Sequence, residues 1–144
     1  MSEQVQINRI VSLSDLSGHA EGVSLGSTDK PITIVFGRKD RAGEYPSIPW
    51  HGSAQTVFLD MGFAIFNRYI GGIVVNQNGE VSTITDGMNQ PNPALRAVSN
   101  GSVTTIHVVN TENSDFYAYF ELSMKGGQYV LRHSPQTAPE TGEV

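Results

Sequence analysis

Residues 116–133 read Phe-Tyr-Ala-Tyr-Phe-Glu-Leu-Ser-Met-Lys-Gly-Gly-Gln-Tyr-Val-Leu-Arg-His. A pair of adjacent glycines separates one run rich in aromatic and aliphatic residues from another. Tight hairpins need positive φ at one or both central residues, which Gly accepts without steric cost. A two-residue turn at Gly126-Gly127 sets Lys125 opposite Gln128, Met124 opposite Tyr129 and Leu122 opposite Leu131. Ser123 then opposes Val130 and Glu121 opposes Arg132 on the other face. Phe116, Ala118, Phe120, Leu122 and Met124 share one apolar face, and a slip of one residue would invert the buried set. Turn chemistry and hydrophobic period agree on an antiparallel hairpin with one face to bury.

The same signals recur upstream. Asn78-Gly79 and Asn100-Gly101 mark two more two-residue turns, with strands expected at 73–77, 80–86, 94–99 and 102–110. Val5, Ile7, Val11 and Leu13 fall on one face of a first strand, and Ile32, Ile34 and Phe36 mark a second. The stretch from Gln55 to Ile70 is almost continuously apolar, with a break near Asp60-Met61-Gly62. An apolar sheet face needs a cover, and no amphipathic helical stretch is long enough to supply one. The expected fold is all-β: a single-domain, jelly-roll-like antiparallel β-sandwich of eight to ten short strands, with a closed β-barrel as the alternative. The domain is expected over residues 1–133. Residues 134–144, with two prolines and almost no apolar content, read as a disordered polar tail. Two long connections, at about 14–31 and 37–53, stand out as candidates for function.

Composition narrows the function classes. The chain has 144 residues, 38% hydrophobic and 16% charged, and 15 glycines, which describes an ordinary soluble protein built on strands and turns. Its net charge of −5 argues against a nucleic-acid partner, because phosphate binders carry a basic excess. The chain has no cysteine, which removes disulfides, thiol catalysis and thiolate metal sites. No signal-peptide pattern opens the sequence and no apolar stretch has the length of a membrane span. The expected location is cytoplasmic, or exported without a classical signal peptide.

No catalytic or cofactor motif is present. His19, His51, His107 and His133 have neither HxH nor HExxH spacing, there is no G-x-S-x-G elbow, and no Gly-rich loop precedes a helix. The loop carboxylates Asp86, Glu112 and Asp115 are the remaining acid-base candidates. The basic run Arg38-Lys39-Asp40-Arg41 reads as a solvated turn. An enzyme drawing its acid and base from Asp86 and Asp115 stands third among the readings.

Three loops carry ligand-binding chemistry. Tyr45-Pro46-Ser47-Ile48-Pro49-Trp50-His51-Gly52 is stiffened by two prolines and presents an indole able to stack on a sugar ring, or to plug the end of the sandwich. Residues 86–93 and 110–115 are dense in Asn, Gln and Asp, which provide the directional donors and acceptors that hydroxyl-rich ligands need. If successive strands alternate in direction, and the chain reverses at only one of Gly62 and Gly71-Gly72, loops 14–31, 87–93 and 111–115 meet at one rim. Asp15, His19, Glu21, Asp29, Asn89, Gln90, Asn92, Asn113 and Asp115 would line it. Reversal at both sites would bring the Trp50 loop there instead of 14–31.

The leading expectation is a non-enzymatic, lectin-like carbohydrate-binding module without a cofactor or bound metal. Asn89, Asn92, Asn113 and Asp115 would hydrogen-bond a glycan, with Trp50 stacking on it. The alternative is a structural assembly subunit (virion, tail or inclusion component) that forms a homo-oligomer through exposed strands such as the one bearing Tyr117 and Tyr119.

Overall fold

The computed structural model describes residues 9–17, 21–37, 55–61, 69–84, 95–109 and 117–134. Ten strands and one short helix lie among them: β1 (Arg9–Ser12), α1 (Leu13–Ser17), β2 (Val23–Ser27), β3 (Ile32–Gly37), β4 (Gln55–Asp60), β5 (Tyr69–Val75), β6 (Val81–Ile84), β7 (Leu95–Ser99), β8 (Val103–Val109), β9 (Tyr117–Lys125) and β10 (Gln128–His133). They form two five-stranded sheets, ordered β1-β4-β3-β5-β6 and β2-β10-β9-β8-β7. The fold is the expected all-β sandwich, not a closed barrel.

The β9–β10 hairpin has the register its sequence dictates, from Gln128↔Lys125 through Leu131↔Leu122 to Arg132↔Glu121. Gly126 and Gly127 adopt φ of 59° and 78°, the double positive φ of a type I′ turn. The other two turns are wider than expected. Val75 pairs with Val81, leaving three residues between Asn76 and Glu80. The Asn76 side chain sets this width: its Oδ1 accepts from Asn78 N and Glu80 N, and its Nδ2 donates to Glu80 Oε2. Ser99 pairs with Thr104, so Asn100-Gly101 belongs to a four-residue connection closed by Asn100 N donating to Val103 O.

Two elements fall inside the stretch 14–31 that the sequence presents as a loop. Ser12 and Asp15 cap α1 reciprocally: Asp15 N donates to Ser12 Oγ, and Ser12 N donates to Asp15 Oδ2. Leu16 is thereby turned into the core, while the helix packs on β10. Next, β2 adds to the outside of β10. The first strand ends at Ser12, since Leu13 already opens the helix; Val5 and Ile7 lie outside the described residues.

The largest departure is in strand direction. Strand β4 runs parallel to both β1 and β3. Successive strands therefore do not all alternate, and the chain leaves β3 at one end of the sheet and enters β4 at the other. The continuous apolar character of these strands has a physical cause. Ile32, Ile34, Phe36, Val57 and Leu59 face the core, while Thr33, Val35, Thr56 and Phe58 on the opposite face are buried as well. Strands covered on both faces lose the polar half of the alternation.

Between the sheets lies one apolar interior, built mainly from alternate residues of β3, β4, β5, β8, β9 and β10. The Phe36 and Phe120 rings meet within it at 5.8 Å. Tyr129 is buried with its hydroxyl donating to Asn76 O at 3.1 Å, which links the β9–β10 layer to the β5–β6 turn.

The close approach of two turns at this end yields a prediction. A Cβ on Gly79, where φ is +85°, would lie 2.5 Å from Gly101 O and 2.8 Å from Met124 Cε. Gly79→Ala should cost about 2–3 kcal/mol, from backbone strain plus the clash with a carbonyl that cannot yield. Gly126→Asn, in open space at φ +59°, should cost about 1 kcal/mol or less. Urea denaturation of the two variants measures the difference.

Candidate functional site

The sandwich has two unlike ends. One gathers the short turns: Gly79 abuts Gly101, Met124 N donates to Ser102 O, and Thr28 N donates to Gly127 O. At the other end lie the last residues of β3, β4, β6, β8 and β10 and the first residues of β5, β7 and β9. The register places Leu95 opposite Val108 and Val109 opposite Tyr117. The ends of β7, β8 and β9 thus stand side by side, with the outer two about 10 Å apart at two strand spacings. The Asn-rich stretches 85–94 and 110–116 depart from these ends.

Asn89, Asn92, Asn113, Asp115 and Trp50 lie outside the described residues, as do Asp86, Glu112 and the basic run 38–41. What is described is the set of strand ends from which those stretches depart. The question of reversal has an answer: Gly71 and Gly72 lie within β5, paired with Phe36 and Val35, so the chain reverses once, between Asp60 and Tyr69. The stems of the 18–20, 85–94 and 110–116 connections share an end, though not by strict alternation: β2 adds one crossing within 14–31, and the parallel β3–β4 pair offsets it.

Not every residue expected at that rim belongs there. Asp29 lies at the opposite end, accepting from Ser27 Oγ at 2.6 Å in the turn between β2 and β3. Asp15 is at the expected end, but its carboxylate caps α1. Glu21 is exposed just ahead of β2. The stretch 14–31 is not one loop, because β2 crosses the domain within it and carries Asp29 away from the rim. The Ser12-x-x-Asp15 capping box and the Val23/Leu25 alternation are the sequence signals that point to this.

The outward face of the second sheet holds the best-defined group of polar and aromatic side chains. Register aligns Arg96, His107 and Tyr119 across three strands. His107 and Tyr119 are only 8% and 9% exposed and meet edge to face at 4.8 Å. Burial holds the His107 imidazole below its ordinary range, and the Arg96 cation adds to the effect. Tyr119 is pushed up by burial and then by Glu121, with Arg132 acting the other way. Glu121 and Arg132 form the ion pair that the hairpin register implies. His107 lies on this outer face, opposite Tyr119. The His133 ring lies 5.3 Å from Phe120, and burial lowers its pKa too.

Among the described residues, no three His, Asp or Glu side chains converge in a way that could hold a metal ion. No described helix is long and apolar enough to cross a membrane.

The two histidines generate a pH dependence with a definite sign. Each binds a proton more weakly in the folded chain than in the unfolded one, whose value is 6.5. Their effect on stability is absent above that pH, and stability falls as pH drops through 6.5 toward the folded pKa. The urea midpoint should therefore be lower near about pH 5.5 than near about pH 7.5. His107→Gln combined with His133→Gln should flatten that slope.

No protein-family model matches the chain, and neither a curated protein nor a solved structure does. The site is defined by its own strand ends and residue chemistry.

Proposed function

We propose that this chain is a non-enzymatic, lectin-like module that binds glycan hydroxyls through the two Asn/Asp-rich stretches at one end of the sandwich. The observation that supports the reading is the adjacency of Leu95, Val109 and Tyr117, the strand ends from which those stretches depart. Segments rooted on neighbouring strands start close enough together to act on one small ligand. Rigid strands are also the best supports for a preorganised hydrogen-bonding set.

In this reading Asn89, Asn92, Asn113 and Asp115 pair with sugar hydroxyls, each carboxamide donating and accepting at once. Trp50 supplies an apolar face for the ring C–H groups. The Asp carboxylate and Asn carbonyl oxygens are also hard ligands of the kind calcium uses, so the ion belongs in the test. The reading needs no cofactor and no catalytic step, and it suits a protein that works in the cytoplasm or is exported without a classical signal.

Glycan-array screening followed by calorimetric titration, with and without calcium, tests it. Binding to at least one sugar class is expected. Asn89→Ala and Asn113→Ala should each weaken that binding about tenfold, the loss of one to two net hydrogen bonds. Absence of binding across a broad panel under both conditions removes the reading.

A further inference from the structure

The chain holds two Asn-Gly dipeptides, Asn78-Gly79 and Asn100-Gly101, and both lie in described turns. The glycan reading uses neither. Asn followed by Gly is the pairing in which a chain most readily modifies itself. The next backbone nitrogen reaches the side-chain amide carbon, and glycine sets no Cβ in the way. Three local conditions govern the reaction. Water must reach the dipeptide, the attacking N–H must not be held in a strong hydrogen bond, and the backbone must have room to turn as the ring closes.

The two turns differ on all three. Gly79 is buried, although Asn78 is exposed. Gly79 N donates to Asn76 O at 2.9 Å, and Asn78 N donates to Asn76 Oδ1 at 2.9 Å. The amides on both sides of Asn78 are thus tied to one residue. A Cβ on Gly79 would meet Gly101 O at 2.5 Å and Met124 Cε at 2.8 Å, so this backbone has little room to rotate. Asn100 and Gly101, by contrast, are both exposed, as is Ser102. Gly101 N donates to Ser99 Oγ at 3.3 Å, longer than an ordinary N–H···O bond. A Cβ on Gly101 would point into open space.

We propose that Asn100 is a self-modification site, which deamidates through a cyclic imide in the folded protein, while its turn protects Asn78. Gly101 N bonds to Asn100 Cγ and gives up its proton. The side-chain nitrogen leaves as ammonia, closing a succinimide ring. Water then adds to one of the two imide carbonyls and breaks its bond to nitrogen. Opening at Cγ gives aspartate. Opening at the main-chain carbonyl gives isoaspartate, whose backbone runs through the former side chain and is one methylene longer. Either product puts a negative charge in a turn whose Gly101 carbonyl lies against Gly79. The inference is independent of the glycan reading, because the Asn-rich stretches depart from the opposite end of the sandwich.

Peptide mapping by mass spectrometry tests it, on the full chain incubated at mildly alkaline pH in heavy-oxygen water. A sample unfolded in guanidinium chloride runs beside the native one. Unfolding removes both turns, so the two dipeptides should then convert at similar rates. In the native chain the Asn100 peptide should exchange its amide for an acid carrying one heavy oxygen. Its rate should exceed that of the Asn78 peptide about tenfold or more, because reaction at Asn78 must first break a buried backbone hydrogen bond. Asn100→Gln, whose longer side chain must close a larger ring, should lose the conversion at that peptide while circular dichroism stays unchanged. Native Asn78 reacting as fast as Asn100 overturns the proposal. An Asn100 that stays intact in the native chain overturns it too, whatever the unfolded sample does.

Discussion

Phe36 of β3 and Phe120 of β9 meet at the centre of the molecule, and the two sheets must stay face to face for that contact to exist. Each sheet offers one apolar face, and neither could remain in water as a stable layer alone. Their mutual burial draws in Ile34, Leu59 and Ile73 from one side, with Ile106, Leu122 and Leu131 from the other. The single turn of α1 adds Leu16 to the same interior. Tyr129 contributes a fully buried ring while its hydroxyl reaches the carbonyl of Asn76, so burial of a polar group is offset by a hydrogen bond to the opposite sheet.

That packing divides the molecule into an end built of turns and an end from which the longer connections depart. At the first, turns from both sheets touch through glycine backbone and little space remains. At the second, the strands of the β7–β8–β9 unit stop beside one another. A loop is free to vary in chemistry when its stems are held by a rigid scaffold. The Asn-rich composition of the stretches rooted there is what gives the proposed ligand its class.

Much of this architecture is legible in the residues, though unevenly. The register of β9 and β10 can be derived residue by residue, because Gly126-Gly127 admits the turn and only one register buries Phe120, Leu122 and Leu131 together. The turn at Asn78-Gly79 is visible but its length is not, since the Asn76 carboxamide widens it through bonds to Asn78 and Glu80. Helix α1 is hidden by its brevity, five residues being too few to show a period. Strand β2 is hidden because only Val23 and Leu25 alternate and Gly26 interrupts them. For the candidate site, the residue types are legible from loop composition. Membership of the rim is not, as Asp29 shows by lying at the far end of a strand too weakly patterned to stand out.

Local residue pattern was sufficient to set the class of structure, because period-two alternation and glycine turns are short-range properties that recur along the chain. The same pattern fixed which face of β9 and β10 is buried. Strand direction in the first sheet came instead from long-range closure. The run Ile32–Phe36 and the run Thr56–Leu59 are buried on both faces, so nothing local says whether they run with or against each other. Their parallel pairing depends on where the chain re-enters the sheet, which is a contest among distant contacts. That non-local choice also settled at which end of the first sheet the chain leaves β4.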